Sequence, residues 1–198
     1  NKMDNSLGTT EKFPLSKTKK IRGNRHLARE KVMQVLAVYE VSQEPLDFLF
    51  AHIFVREFKF EEEEIPADKL LTPDEILEYE SDIPIVWKKD EVEFAKQLIR
   101  FCMQEKKYAY ELMLKYAKNW ELNRIPIIDR TLILMGISEL IHFDTIPPKV
   151  TMNEIIEISK DYSPNKSITF LNAVLDASFS ELKKKGMINK TGKGLRVK

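Results

Sequence analysis

The stretch from Ile127 to Asp176 constrains the fold of this chain most strongly, because it contains three helical patterns joined by short links that carry proline. Proline suits the first position of a helix, where its missing N–H would be unpaired in any case. Pro126, Thr151 and Pro164 lie at or near the predicted starts of these helices, and Gly186 is predicted to end the last one. No segment alternates well enough to predict a strand, so the sequence predicts an all-α protein.

The N-terminal part of the chain also shows helical patterns with recognisable starts. Asn24 is a predicted N-cap, because its side chain can accept from the unpaired N–H groups of the first turn. Pro45 is predicted to open a second helix. Asp90 and Glu93 are predicted to cap the longest helix, which extends to about Lys118 and is roughly 43 Å long.

With 198 residues, 43% of them hydrophobic, the chain is long enough to bury a sizeable core. The sequence predicts one helical domain made of two closely packed halves rather than two independent domains. A polar segment without apolar periodicity precedes this domain and is predicted to be disordered. The predicted parts are a basic N-terminal arm (1–23), the helical domain (24–185, with halves 24–89 and 90–185 and an acidic insertion at 61–89) and a basic tail (186–198).

The formal net charge of +1 hides a strong segregation of charge along the chain. Residues 1–31 contain nine Lys or Arg against three acidic residues, and residues 183–198 contain seven basic residues and no acidic one. Residues 61–82 instead contain ten Asp or Glu and one Lys. A capping box at 72–75 predicts a short helix over residues 73–80. Two interpretations of this acidic segment stay open: a solvated linker, and an intramolecular cover that competes with RNA for the basic arm.

The sequence argues against a membrane, secreted or enzymatic protein. Charged residues break the longest apolar runs, and the N-terminus lacks a signal-peptide hydrophobic region. Cys102 is the only cysteine, which agrees with a reducing cytoplasm. His26, His52 and His142 have no partner at metal-ligand spacing, and the glycines do not form a phosphate loop. We therefore predict a protein that is not an enzyme and that needs no cofactor or metal.

Basic residues around the predicted start of the first helix indicate nucleic-acid binding. Arg25 and Arg29 lie four residues apart and therefore on one face of that helix, next to the basic arm that includes Arg22. The positive end of the helix dipole favours phosphate at the same place. Lys and Arg clusters attract RNA phosphates, and single-stranded RNA adds stacking on aromatic side chains. We therefore predict RNA contacts in this segment.

Several C-terminal motifs resemble those of the NusB family of transcription antitermination factors. They are W-x-L-x-R at residues 120–124, the acidic-basic pair at 129–130, P-x-K-V-x-x-N-E-x-x-E-I-x-K at 147–160 and F-x-N-x-V-L-D at 170–176. The resemblance implies an all-α fold of two packed helical bundles with about seven helices. It also implies two partners, single-stranded boxA-type leader RNA and the small-subunit ribosomal protein NusE, within a transcription elongation complex.

The resemblance points to RNA contacts at the start of the first helix. The arginine-rich turn of the family corresponds here to residues 25–30. Arg25, His26 and Arg29 are therefore predicted to contact RNA, together with Arg22 from the arm.

Three further residues are assigned through the C-terminal motifs. Lys166 and Phe170 are predicted RNA contacts, and Asp129 and Phe170 are predicted to face the partner protein. Each has a structural alternative. Asp129 can stabilise the start of its helix, Phe170 can belong to the core, and Lys166 can be an ordinary exposed lysine.

Two other functions stay open at this point. A NusB-like domain also serves as the RNA-binding part of rRNA cytosine methyltransferases, an interpretation that requires a second, cofactor-binding domain. The other function is a helical protein-protein adaptor without RNA binding. It is favoured because His26 and Leu27 replace arginines of the family turn, and because Ala37 stands where the family has an aromatic residue.

Overall fold

The structure, a computed structural model, describes residues 13–14, 21–55, 70–71, 85–117 and 121–190. Six helices lie in these ranges, and a 3-10 turn over Leu122–Arg124 precedes the fourth. This helical content confirms the predicted all-α class. The helices are α1 (Arg25–Ser42), α2 (Leu46–Leu49, continued by a π-helical turn over Phe50–Val55), α3 (Lys89–Tyr116), α4 (Ile127–His142), α5 (Pro148–Tyr162) and α6 (Asn165–Lys184).

Two pairs of two-residue strands accompany the helices, although the sequence predicted no strand. The first pair, β1 (Phe13–Pro14) with β3 (Leu70–Leu71), is antiparallel. The second pair, β2 (Ile21–Arg22) with β4 (Ile85–Val86), is parallel and joins the residues before α1 to those before α3. Strands of two residues are too short to show an alternating pattern, which explains why the sequence did not reveal them.

Parts of the predicted organisation lie outside the described residues. These parts are the short helix over 73–80, most of the acidic insertion, and the outer residues of the basic arm and tail. The domain boundaries at 23 and 185 therefore stay predictions. Within the described ranges, no helix is both long enough and apolar enough to cross a membrane.

Local polar chemistry fixes the starts of α1 and α3. The Asn24 side chain accepts a hydrogen bond of 2.8 Å from the Leu27 N–H, which confirms the predicted N-cap. At α3 the predicted capping pair was wrong. The helix begins earlier, at Lys89, because the Glu91 carboxylate accepts the backbone N–H of Lys88 at 2.8 Å.

The predicted end of α6 is also confirmed. Gly186 has a φ of 68°, in the left-handed region that glycine favours. The following N–H, of Met187, donates to the carbonyl of Leu182 at 3.0 Å. This arrangement satisfies a carbonyl that the end of the helix leaves unpaired.

The central helix of the fold is α4, which packs against α1, α3, α5 and α6. Every residue from Thr131 to Leu140 is buried. A helix that is apolar on nearly all sides suits such a position. At Gly136 an added Cβ would lie 2.7 Å from a methyl carbon of Leu175, so α4 and α6 approach closely there. The core thus fixes both ends of α4, and with them the polar side chains that those ends carry.

A charged cluster ties the end of α3 to the end of α6. Lys115 and Lys185 place their Nζ atoms 2.5 and 2.9 Å from carboxylate oxygens of Glu181, and the Tyr116 hydroxyl donates to the same group. Hydrogen bonds from Lys115, Lys185 and Tyr116 lower the pKa of Glu181 to about 2. The carboxylate is therefore ionised throughout the neutral range and keeps the two helix ends together.

Candidate RNA and partner interface

The basic residues at the start of α1 form the first candidate site. Arg22 and Arg25 are exposed, and 46% of the Arg25 side-chain surface is accessible. The Arg25 guanidinium lies 4.4 Å from the centroid of the Phe94 ring and 3.6 Å from the Asp90 carboxylate. An exposed ion pair of this kind contributes about 0–1 kcal/mol, so Arg25 can exchange Asp90 for a phosphate at little cost.

His26 lies beside Arg25 and joins the start of α1 to α5. Its Nδ1 is 2.9 Å from Oε2 of Glu154, and 41% of its side-chain surface is accessible. The imidazole therefore has one ring nitrogen engaged by the carboxylate and part of the ring open to solvent. Arg25 and His26 together form an accessible polar surface at the positive end of the α1 dipole.

Arg29 occupies a different environment from the one that its spacing suggested. Its Nε and Nη2 donate to the two carboxylate oxygens of Glu139 at 2.8 and 2.9 Å, and Nη1 donates to the Arg25 carbonyl at 3.2 Å. Only 4% of the Arg29 side chain and 1% of the Glu139 side chain are accessible. Thr151 Oγ1 donates a further hydrogen bond of 2.7 Å to Glu139. The structure does not support the predicted RNA contact of Arg29, because a carboxylate already binds this enclosed guanidinium in a bidentate manner.

The sequence pattern was right about the face that Arg25 and Arg29 share, but not about where that face points. Both guanidinium groups lie over the ring of Phe94 in α3, at 4.4 and 4.9 Å from its centroid. Glu139, the residue that the sequence analysis missed, is 110 positions away from Arg29. Spacing within one helix carries no information about such a partner.

The second candidate site is a cavity between the start of α4 and the first turns of α6. It has a volume of about 340 Å³, and Asp129, Lys166 and Phe170, which the sequence analysis assigned separately, all line it. Arg124 and Ser167 complete its polar lining. Lys166 is exposed, whereas Phe170 is half-buried and packs against the core. The cavity therefore combines an aromatic wall with cationic side chains at one place.

Asp129 lies in the wall of this cavity rather than on an open surface. It is 1% exposed, and its Oδ1 accepts a hydrogen bond of 2.6 Å from Ser163 Oγ. Its position in the first turn of α4 also stabilises the helix dipole. A partner must therefore enter the cavity to reach Asp129. Arg124 was missed as a site residue, although the W-x-L-x-R motif had contained it.

Nothing in the described ranges suggests a metal centre, because no three His, Cys, Asp or Glu side chains converge there. Cys102 is buried, and its burial raises the pKa of the thiol to about 12. A thiol with such a pKa is not ionised near neutral pH and is therefore a poor nucleophile there.

Comparison with solved structures gives the class of fold. T. maritima NusB aligns with a TM-score of 0.62 at 24% identity, over 84% of this chain and 98% of that one. A chain from the structure of the antitermination factors NusB and NusE in complex with dsRNA aligns with a TM-score of 0.57 at 21% identity, over 79% and 96% of the two chains. These likenesses establish the all-α fold that the sequence motifs had implied.

Comparison of sequences gives the family. A profile of the NusB family matches residues 26–179. The transcription antitermination protein NusB of Chloroherpeton thalassium is 37% identical over 172 residues, which cover 87% of this chain and 69% of that protein. The protein of the same name from Salinibacter ruber is 46% identical over 103 residues, which cover 52% of this chain and 64% of that protein. The chain belongs to the NusB family. Membership confirms the predicted non-enzymatic class, since these relatives are named for transcription antitermination.

Proposed function

We propose that this chain is a transcription antitermination factor that binds single-stranded boxA-type leader RNA together with NusE, within the transcription elongation complex of a bacterial cytoplasm. The observation that carries the proposal is the accessible cationic start of α1, where Arg22 and Arg25 are exposed beside His26. The structure of NusB and NusE with dsRNA, which shares this fold, supports NusE and RNA as partners.

The buried Arg29 has a positioning role in this proposal. Its guanidinium binds Glu139 of α4 and the backbone carbonyl of Arg25, while His26 on the same turn binds Glu154 of α5. These bonds hold the first turn of α1 against two other helices. RNA therefore meets cations whose backbone is already ordered, which reduces the entropy lost on binding.

The cavity at the start of α6 supplies the second half of the proposed interface. A flipped-out base can stack on Phe170, and Lys166 can bind the adjoining phosphate, since the two residues line the same cavity. Asp129, at the wall of the cavity, is available to a donor group of NusE that enters it. Electrostatic capture at α1 and stacking at α6 would thus act on the same RNA.

The salt dependence of RNA binding tests the cationic start of α1. Replacing Arg22 and Arg25 by alanine should weaken binding, because these side chains neutralise RNA phosphates. It should also reduce the slope of log affinity against log salt concentration by roughly 0.7 for each phosphate that the variant no longer binds. Fluorescence anisotropy with a labelled single-stranded RNA at several salt concentrations gives this slope.

Lys183→Ala with Lys184→Ala is a matched control that removes the same charge. These exposed lysines lie in the last turn of α6, beside the end of α3 that binds Glu181. Arg25 contacts Asp90 at the other end of α3, about 38 Å from Lys115 along the helix. The control should keep the wild-type slope. Equal slopes for both double variants and the wild type would remove the start of α1 from the interface.

The burial of Arg29 gives some support to a second candidate function, an adaptor that binds NusE without binding RNA. With this guanidinium enclosed, fewer arginines of the family turn are available to phosphate. The adaptor differs from the leading proposal in one measurable respect. Its affinity for NusE would be unaffected by any RNA, and it would show no saturable RNA binding.

A further inference from the structure

A second cavity lies between α2 and α3 and shares no lining residue with the cavity at Phe170. Its volume is about 430 Å³, and its apolar walls are Leu46 and Phe50 from α2 and its π-helical turn, and Ile99 and Met103 from α3. Phe50 stacks on Phe54 with ring centroids 4.5 Å apart, so the wall is anchored in the core. A π-helical turn of this kind is rare in proteins and is often found at functional sites.

Two cationic side chains line this cavity and have no carboxylate partner among the described residues. Lys96 and Arg100 are exposed and lie four residues apart on α3, one helical turn from each other. Both lie near aromatic rings: Lys96 Nζ is 5.7 Å from the Phe50 centroid, and the Arg100 guanidinium is 4.8 Å from the Phe101 centroid. Asp47 is the only acidic side chain among the described residues of the lining. The rim therefore carries a net positive charge above apolar walls.

The cavity faces a different side of α3 from the start of α1. At about 100° per residue, Lys96 and Met103 project roughly opposite to Phe94, and Arg100 projects about 120° away from it. Phe94 is the ring that Arg25 and Arg29 cover. A molecule in this cavity therefore does not compete directly for the Arg25 surface.

We propose that this cavity is a docking site for an acidic, amphipathic segment of a partner protein. One large apolar side chain of that segment lies between Leu46, Ile99 and Met103, and its carboxylates bind Lys96 and Arg100. Charge complementarity supports the choice, because two cations one turn apart match carboxylates spaced one turn apart on a helical segment. Apolar anchors in a pocket with a charged rim are also the usual form of a protein interface.

Single-stranded RNA fits this cavity less well. Most of its walls are aliphatic or thioether side chains, which offer no flat surface for stacking. The one aromatic wall, Phe50, already stacks on Phe54 and lies under the Lys96 ammonium.

Binding of a designed peptide tests the proposal on the full chain. The probe is a fluorescein-labelled amphipathic peptide of about 14 residues, with glutamates one turn apart around a central phenylalanine, and its counterpart has glutamine in place of every glutamate. The wild type should bind the acidic peptide saturably and the glutamine peptide at least about tenfold more weakly. Lys96→Glu with Arg100→Glu should weaken binding of the acidic peptide by a similar factor. Lys183→Glu with Lys184→Glu, which changes the net charge equally, should leave the affinity within about twofold.

Several results would overturn the proposal. They are the absence of saturable binding to the wild type, equal loss of affinity in both charge-reversed variants, or a loss of RNA affinity in place of peptide affinity when Lys96 and Arg100 are reversed. Binding that appears only after Glu61–Glu64 are changed to glutamine would also overturn it, because the site would then serve an acidic run of the chain itself. Far-ultraviolet circular dichroism checks that each variant is folded.

Discussion

Replacing Glu139 by alanine should lower the free energy of unfolding by about 3–5 kcal/mol, because it leaves the Arg29 guanidinium buried without its counter-ion. The pair is almost entirely enclosed, with 4% of the Arg29 and 1% of the Glu139 side chain accessible, and both guanidinium bonds are below 3 Å. Thr151 would lose its acceptor as well. Glu154, whose Oε2 is 3.5 Å from Nη1 of Arg29, keeps one longer ion-pair contact but does not restore the bidentate pair. Urea unfolding followed by circular dichroism measures the change.

Glu157→Ala is the matched control, since it removes a glutamate that forms an exposed ion pair with Lys160. It should cost at most about 1 kcal/mol. The double variant Arg29→Met, Glu139→Leu removes both buried charges together and should recover most of the stability that Glu139→Ala loses. A cost below about 1 kcal/mol for Glu139→Ala, or a double variant no more stable than the single one, would show that the pair is not enclosed as described.

The same double variant separates the two roles considered for Arg29. If Arg29 only positions the first turn of α1, the folded variant should keep most of its RNA affinity and the wild-type salt slope. A direct bond from Arg29 to phosphate would instead make the slope of the variant shallower by roughly 0.7. The geometry of Arg29 favours the first outcome, since its guanidinium is fully engaged within the protein.

Replacing Phe170 by alanine should weaken RNA binding by about 1–3 kcal/mol, the range found when a base loses an aromatic stacking partner. Phe170 lines the cavity that also contains Lys166, so loss of its ring removes the flat wall beside a cation. Because Phe170 also packs against the core, the variant should lose some stability too. Affinity is therefore measured by anisotropy under conditions where the variant is fully folded.

Phe179→Ala controls for the effect on stability. Phe179 belongs to the same helix and is also a half-buried ring against the core, but it does not line the cavity. We expect a comparable loss of stability with unchanged RNA affinity. Phe170→Leu retains apolar bulk and should still lose the stacking contribution. Wild-type affinity in both Phe170 variants would assign this residue to the core alone.

The fold was largely predictable from local signals. The Asn24 cap, the prolines before α4 and α6 and the terminal Gly186 each act within a few residues, so sequence spacing reveals them. The middle helix, α5, begins at Pro148, three residues before Thr151. The exceptions are also local in origin. The strand pairs are too short for a pattern, and the start of α3 depends on Glu91, one of several acidic residues that could have served.

The candidate sites were only partly predictable, because burial and pairing depend on distant parts of the chain. Asp129, Lys166 and Phe170 were each chosen from separate motifs, and the packing of α6 on α4 brings them to one cavity. The role of Arg29 depends on Glu139, which no local pattern connects to it. The cavity at Lys96 and Arg100 is lined by residues of α2, its π-helical turn and α3, which are distant in the chain, and it had no sequence signal of its own.

The central claim is that this protein recognises RNA together with NusE. Its most direct test is to measure the affinity for boxA-like and for scrambled single-stranded RNA, with and without NusE, at one fixed salt concentration. We expect tighter binding of the boxA-like RNA, and a preference that increases when NusE is present. Equal affinity for the two RNAs in both conditions, or no RNA binding in either, would contradict it.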